Sequence, residues 1–527
     1  MKKFILISLL FLSACSQVEP VVESTRLSID ELEIELENAN ADAFYADVST
    51  AYSLFPIAFA DSDGDKHGDL VGIIEKLDYL NDNDPITTTD LGIDAIWLNP
   101  IHPTTSYHKY DVIDYYDIDP KLGDLEDFKR LIEEAHNRGI KIILDMVFNH
   151  TSSQHPWFLK ALMEEEPYFS YYNIQEKVEF SEYPGKTGWN IKNGLTYYSG
   201  FWSEMPELDV ENEAVRDELK AILSFWMDLG VDGFRYDAAK HVYDTNEYPS
   251  GTPLLQLNKQ FWMELRDYVK DINPDVFLIG EVWLDSNSAA PYAPGFDSLF
   301  NFDVQGKLVQ TIKNEYQSNF INYVNDSIQK YENKSDSFVN ATFLSNHDQD
   351  RIFSQLSSSE NKLRLAANLL FALPGIPFIY YGEELGMTGV KPDEKIREPF
   401  VWNRDEALPN SMWEPWVYNT KTPSYEEQVT DPNSIWSMYK DLIALRKAYP
   451  VLKDGKLEAI DFQNNRVIGL LRSDDSTKIA QISNLGSEAV DLSLDFNSSI
   501  LYNNKANRLD GMKLQLEPYG RVYLMIE

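Results

Sequence analysis

From about residue 52 onward, short apolar runs of strand length alternate with longer stretches in which apolar positions return every three to four residues. The strand-like runs are 52–59, 93–98, 140–147, 231–236, 276–280, 299–302, 341–344 and 377–381. Between them the helical period is plain at 125–138, 213–229 and 254–270. This strand-helix alternation predicts an α/β fold in which eight parallel strands close into a (β/α)8, or TIM, barrel rather than an open sheet. A last helical pattern at 435–448 closes the ring.

Two departures from the rhythm set the domain boundaries. Residues 150–207 are rich in Tyr, Trp, Pro and Gly and lack helical periodicity. That is long for a loop, so they are expected to form a small domain inserted between barrel parts 46–149 and 208–449. After Pro450 the period falls to two, as at 466–471 and 478–482. Residues 450–527 are therefore expected to form an appended antiparallel β domain.

The amino terminus is of another kind. Met1-Lys2-Lys3 precedes an apolar run from Phe4 to Leu12, too short to cross a bilayer as a helix. A charged start, an apolar run and small residues describe an export signal. Leu12-Ser13-Ala14-Cys15 resembles the bacterial lipobox, which implies cleavage before Cys15 and acylation of its thiol; a plain signal with an incidental cysteine is the alternative. Residues 16–45 are acidic, with Glu31, Glu33, Glu35 and Glu37 alternating with apolar residues, and are read as a solvated tether. The implied location is the outer membrane or cell surface, reached through the lipid and favoured by Ser16 after the cysteine, with the periplasmic face as the alternative. Cys15 is the only cysteine, so no intrachain disulfide forms.

The formal net charge of −39 comes from 85 acidic and 46 basic residues. Such a surface repels nucleic acid and anionic headgroups and suits a neutral ligand, although adaptation to salt gives the same balance.

Against this background three acids stand out because each follows a buried strand: Asp237, Glu281 and Asp348. Strand ends of a parallel barrel converge on one mouth, where catalytic groups sit. Acids converging there point to bond cleavage by paired carboxylates, as in glycoside hydrolysis. Arg235 lies two residues before Asp237, hence on the same face of the strand, where its charge is expected to hold Asp237 ionised.

The motifs around these acids resemble the alpha-amylase family of glycoside hydrolases. They fall in the family's order: Asp145-Met146-Val147-Phe148-Asn149-His150, Gly233-Phe234-Arg235-Tyr236-Asp237-Ala238-Ala239-Lys240-His241, Gly280-Glu281-Val282-Trp283 and Ser345-Asn346-His347-Asp348. The resemblance implies that Asp237 is the nucleophile of a retaining mechanism, Glu281 the acid/base, and Asp348 the group that favours the strained ring. In such enzymes the two reacting carboxyls lie roughly 5–5.5 Å apart. Glu281 must keep its proton near neutrality, so burial and neighbouring acids are expected to raise its pKa. His150 and His347 match positions that hydrogen-bond the sugar, Tyr110 matches the aromatic that stacks on it with Tyr107 as competitor, and Lys240 and His241 match contacts on the leaving-group side. Asp111 is open between a structural and a site role, and His102 is read as a loop residue.

Calcium is the implied cofactor. Asp61-Ser62-Asp63-Gly64-Asp65-Lys66-His67-Gly68-Asp69 places carboxylates at alternate positions of a Gly-containing loop, as a hard cation requires; the alternative is a solvated acidic turn. It resembles a calcium loop after the family's first strand, with Asp61, Asp63, Asp65 and Asp69 as ligands and the carbonyl of His67 completing the shell. The family's second site implies Asn149, the carbonyl of His241 and Glu207, where Asp is usual.

Met205-Pro206-Glu207-Leu208-Asp209 resembles the group intermediate between oligo-1,6-glucosidases and neopullulanases, which includes lipoprotein amylases. The implied activity is internal cleavage of α-1,4-glucans and maltooligosaccharides. The alternatives are an α-glucosidase or 4-α-glucanotransferase and, in another class, a non-catalytic glycan-binding surface protein.

Overall fold

The computed structural model describes residues 44–527 apart from 85, 86, 88, 176, 177, 179–186 and 406. The described residues fall within one compact unit, Glu37–Glu527. Cys15, the export signal and the tether up to residue 43 lie outside the described residues.

Eight parallel strands close into a barrel: β1 (Ala51–Leu54), β2 (Ala95–Leu98), β3 (Lys141–Met146), β4 (Gly233–Tyr236), β5 (Phe277–Gly280), β6 (Ser298–Phe300), β7 (Val339–Phe343) and β8 (Ile376–Tyr380). The ring shuts where β8 pairs with β1, with Phe378 beside Ala51. Strands covered on both faces read as near-continuous apolar runs, which is why these segments were visible in the sequence. Alternate side chains point inward, and Ala95, Trp97, Ile143, Ile279, Phe300, Phe343 and Phe378 fill the interior.

Several boundaries differ from the sequence-based expectation. The run 52–59 is not one strand, because Pro56 takes the first position of a helix, Pro56–Phe59, where its missing N–H costs nothing. The sixth strand ends at Phe300, since the Asn301 side chain accepts from the amide of Val304 and caps the helix Phe302–Asn314. The seventh starts earlier, at Val339. The helix Ile435–Ala448 falls where its pattern placed it.

The tether also ends sooner than expected. Phe44 and Tyr45 belong to a short helix, Phe44–Asp47, and Phe44 stacks on Phe277 with ring centroids 4.5 Å apart. Phe277 opens β5, so Phe44 plugs the end of the barrel opposite the catalytic mouth.

Between β3 and the helix Glu213–Asp228 lies the insertion, which carries a three-stranded sheet (Ile174–Gln175, Trp189–Lys192 and Leu195–Tyr198). It also holds a short helix, Pro156–Ala161, capped by the His155 side chain, which the sequence pattern did not reveal. The chain returns to the barrel with the Leu208 amide donating to the carbonyl of Asn149.

The carboxy-terminal part packs a five-stranded antiparallel sheet and a three-stranded one around Val467, Ile482, Leu514, Leu516 and Val522. Two buried guanidinium groups join it to the barrel. Arg446 donates to the carbonyls of Phe371, Leu373 and Leu452 at 2.7–3.0 Å. Arg472 donates to Ala372 at 2.8 Å and to Gly455 at 2.6 Å. Burial pulls their pKa values down, to about 10 and about 9.

Truncating Phe44 would leave a cavity against Phe277. Phe44→Ala is expected to cost about 3–5 kcal/mol in urea unfolding, without changing the catalytic groups at the far end.

Candidate active site

Asp237 directly follows β4, Glu281 directly follows β5, and Asp348 sits in the turn after β7. All three line one cleft of about 550 Å³ at the barrel mouth. Two of them, Asp237 and Glu281, meet the side chain of Arg235, which is fully buried. One terminal nitrogen donates to Asp237 Oδ1 at 2.9 Å and to both oxygens of Asp145 at 2.8 and 2.9 Å. The other donates to Glu281 Oε2 at 2.6 Å. Strand register brings these groups together: Asp145 on β3 lies beside Arg235 on β4, and Arg235 lies beside Ile279 on β5. The ring of Trp97 lies 5.0 Å from the guanidinium carbon, and its Nε1 donates to Asp145 at 3.1 Å.

One cation among three carboxylates, two buried and Asp237 partly so, leaves the group short of positive charge. Burial, reinforced by Asp145 and Asp348, raises the pKa of Asp237 to about 7 against the pull of Arg235. Burial likewise lifts Asp145 to about 6, with Arg235 opposing. Glu281 is raised by burial and by Asp237 and Asp348, in the direction its chemistry requires. Arg235 pulls Asp237 towards ionisation as expected, but the same guanidinium is divided among three acids and burial opposes it.

The backbone contributes as well. Ala238 adopts a left-handed conformation, φ 47°, which costs a non-glycine residue roughly 1–2 kcal/mol. This turn aims its N–H at Glu281 Oε2, 3.3 Å away.

Asp348 behaves differently. Burial alone would raise it, but His347, Arg397 and Arg235 outweigh burial and hold it well below the usual carboxylate range. Burial lowers the pKa of His347, so the ring is neutral at neutral pH and serves as a donor. Asn99 Nδ2 faces His347 Nδ1 at 3.2 Å, which leaves the ring proton on Nε2, 3.0 Å from Asp348 Oδ2. The charge comes from Arg397, which donates to Asp348 Oδ1 at 3.0 Å and to the carbonyl of His347 at 2.9 Å.

Tyr110 rather than Tyr107 lies at the heart of the cleft. Its ring is parallel to that of His347, with centroids 5.5 Å apart, and its hydroxyl donates to Asp145 at 3.0 Å. Tyr107 instead stacks on Trp413. His150 lines the cleft, but both its nitrogens have protein partners, the side chain of Asn149 and the carbonyl of Tyr110. Asp111 is structural, its carboxylate taken by Thr105 and Ser106. His102 is a fully buried core residue, packed against Trp226 and Tyr115.

Beside Arg397 the cleft wall carries Asp393 and Lys391. Elsewhere it is formed by Lys240, His241, Phe201, Trp202 and Trp283. Lys240 Nζ reaches the Trp283 carbonyl at 3.5 Å, and Phe201 packs against both His150 and His241. Asp145, Asn99, Arg397, Phe201 and Trp202 were missed from the sequence. Asp145 had a usable signal, since it opens a motif on a barrel strand; Arg397 and the two aromatics stand in irregular segments with no local pattern.

The first candidate calcium loop is partly assembled. Oxygens of Asp61, Asp63 and Asp65 lie within 4.8 Å of one another, an all-oxygen donor set that fits a hard cation. The amide of His67 donates to Asp65 at 2.7 Å. Asp69 stands apart from that trio: its carboxylate caps the helix Leu70–Glu75 and accepts from Gly72 and Ser62. At the second candidate site, Asn149 Oδ1 and Glu207 Oε2 are buried without hydrogen-bond partners among the described residues, so the extra length of Glu207 does not take it away from Asn149. The other Glu207 oxygen accepts from the amide of Gly200 at 2.7 Å, and the His241 ring pairs with Asp244.

A closed parallel barrel whose mouth gathers paired carboxylates is the arrangement of a glycoside hydrolase. Comparison with known proteins narrows this: the alpha amylase catalytic domain matches residues 53–455, and the chain belongs to the alpha-amylase family. It is 41% identical to alpha-amylase 3 of Dictyoglomus thermophilum over 90% of this chain and 92% of that one. It is 32% identical to the 4-alpha-glucanotransferase of Thermotoga maritima, over 83% and 96% respectively. The crystal structure of the alpha-amylase from H. orenii superposes with a TM-score of 0.83 at 39% identity, covering 91% of this chain and all of that one.

Burial, with Asp145 and Asp348 nearby, raises the pKa of Asp237, so it takes up a proton at a higher pH than an ordinary carboxylate, and a nucleophile so protonated is inactive. The acidic limb of kcat/KM is therefore expected above the ordinary carboxylate value. Asp145→Asn removes one repelling acid and leaves Arg235 freer to face Asp237, so the limb should move to lower pH in a pH-rate profile.

Proposed function

We propose that this protein is a retaining glycoside hydrolase that cleaves internal α-1,4 bonds of starch-like glucans and maltooligosaccharides. The observation that carries it is the guanidinium of Arg235 holding Asp237 and Glu281 to one point of the mouth. Asp237 attacks the anomeric carbon while Glu281 gives its proton to the departing glycosidic oxygen. The covalent glucosyl-Asp237 is then hydrolysed by water, from which Glu281 takes the proton back. Asp348, held ionised, accepts hydrogen bonds from the sugar hydroxyls and favours the flattened ring. The neutral surface of a glucan also suits a chain of net charge −39.

Transfer to a second sugar is the competing outcome. Trp202 and Trp283 are each more than 40% exposed at the cleft wall, flat apolar platforms on which an acceptor can stack in place of water. This supports some transglycosylation beside hydrolysis.

Calcium is part of the proposal as a structural ion. Asp61, Asp63 and Asp65 would hold one, with Asn149 and Glu207 contributing to a second. The ion supplies charge neutralisation and cross-linking of loops, while proton and glucosyl transfer stay with the carboxylates.

Asp237→Asn and Glu281→Gln are expected to lower turnover of starch by about 10²–10⁴-fold or more, with unchanged circular dichroism. An endo-acting enzyme also abolishes iodine staining long before glucose accumulates; glucose released from the outset would favour an α-glucosidase instead. For the metal, a chelator should lower the melting temperature, by the equivalent of about 2.7 kcal/mol where free calcium had been a hundredfold above Kd. Asp63→Asn should shrink that shift; a melting temperature indifferent to chelation would remove the metal from the proposal.

A further inference from the structure

Beside the catalytic cleft lies a second groove of about 730 Å³, within the range of roughly 300–1,000 Å³ usual for ligand sites. The two depressions share Asp348 and Lys391, so they meet at the acid that faces the glucosyl ring. The groove runs along the helix Phe302–Asn314, and neither Trp202 nor Trp283 lines it.

Its chemistry is that of a sugar site. Five amide side chains line it: Gln305, Gln310, Asn314, Gln349 and Gln355. An amide both donates and accepts, as sugar hydroxyls do, and so pairs with them in either sense. Gln349 Oε1 is buried and has no hydrogen-bond partner among the described residues. The charged groups of the groove, Asp348 and Asp350 against Lys313 and Lys391, cancel within a strongly acidic protein, which selects a neutral ligand over an ionic one.

Gly306 adds an independent observation. It stands inside the helix, where glycine is the poorest choice after proline. Packing does not demand it, since an added Cβ would meet nothing within 4 Å, and its backbone is not left-handed. What remains is the groove that Gly306 lines, where a missing side chain lets a ligand approach the helix backbone.

We propose that this groove holds a side branch of the glucan whose main chain occupies the cleft, which allows cleavage close to branch points. The inference rests on the function proposed above. A main chain has its path through the cleft, and the groove forms a third arm at the position of the reacting ring.

The test compares kcat/KM for a branched and a linear maltooligosaccharide of equal size. Gly306→Trp, which fills the groove, should lower the branched-to-linear ratio at least threefold, and Gln310→Ala should lower it in the same direction. Gly306→Ala, which relieves the helix without filling the groove, should raise the melting temperature and serves as the folding control. An unchanged ratio in folded Gly306→Trp overturns the branch site while leaving the hydrolase intact. So does an equal loss on both substrates, which would assign the groove to the main chain. Failure of the unaltered protein to cleave either substrate would overturn the proposed function instead.

Discussion

A single positive charge, the guanidinium of Arg235, sits in the barrel interior with the carboxylates of Asp145, Asp237 and Glu281 around it. Without it, three buried acids would repel one another in a low-dielectric site; with it, they are drawn to a common point but cannot all be ionised. That shortage of charge is what keeps a proton in the site near neutrality, and a retaining glycosidase needs a proton on one carboxyl and none on its partner. The barrel supplies the register that makes the arrangement possible, since Asp145 and Arg235 are paired neighbours on adjacent strands.

The acid that does not touch this guanidinium is treated in the opposite way. Asp348 has its own arginine, Arg397, and a neutral histidine that donates to it, so it stays ionised while Glu281 is pushed towards its neutral form. Carboxylates at one mouth thus receive different protonation states from the cations assigned to each. The ring of Tyr110 ties the two halves together, reaching Asp145 and His347 with one hydroxyl.

The barrel strands were legible because burial on both faces writes itself as unbroken apolar runs, and the acids because each interrupts such a run at its end. Strand limits were less legible where a single residue redirects the chain, as Pro56 and Asn301 do by starting helices inside apolar segments. Arg397 was invisible for a different reason: it reaches Asp348 from an irregular stretch far along the chain, and no periodicity marks such a contact. The histidines illustrate a third limit. A motif places His150 at the cleft, but only packing reveals that its nitrogens are turned to Asn149 and Tyr110.

The two arginines beneath the barrel carry a consequence for the chain's architecture. Arg446, on the last barrel helix, and Arg472, on the carboxy-terminal sheet, both donate to the carbonyl of Leu452, and both reach carbonyls at the end of the helix Glu360–Ala372. Neither forms an ion pair with a carboxylate among the described residues, so each depends on carbonyl groups for its hydrogen bonds. Severing the sheets from the barrel would take Arg472 from the carbonyl of Ala372 and the carbonyl of Leu452 from Arg446, leaving buried polar groups of both parts unpaired.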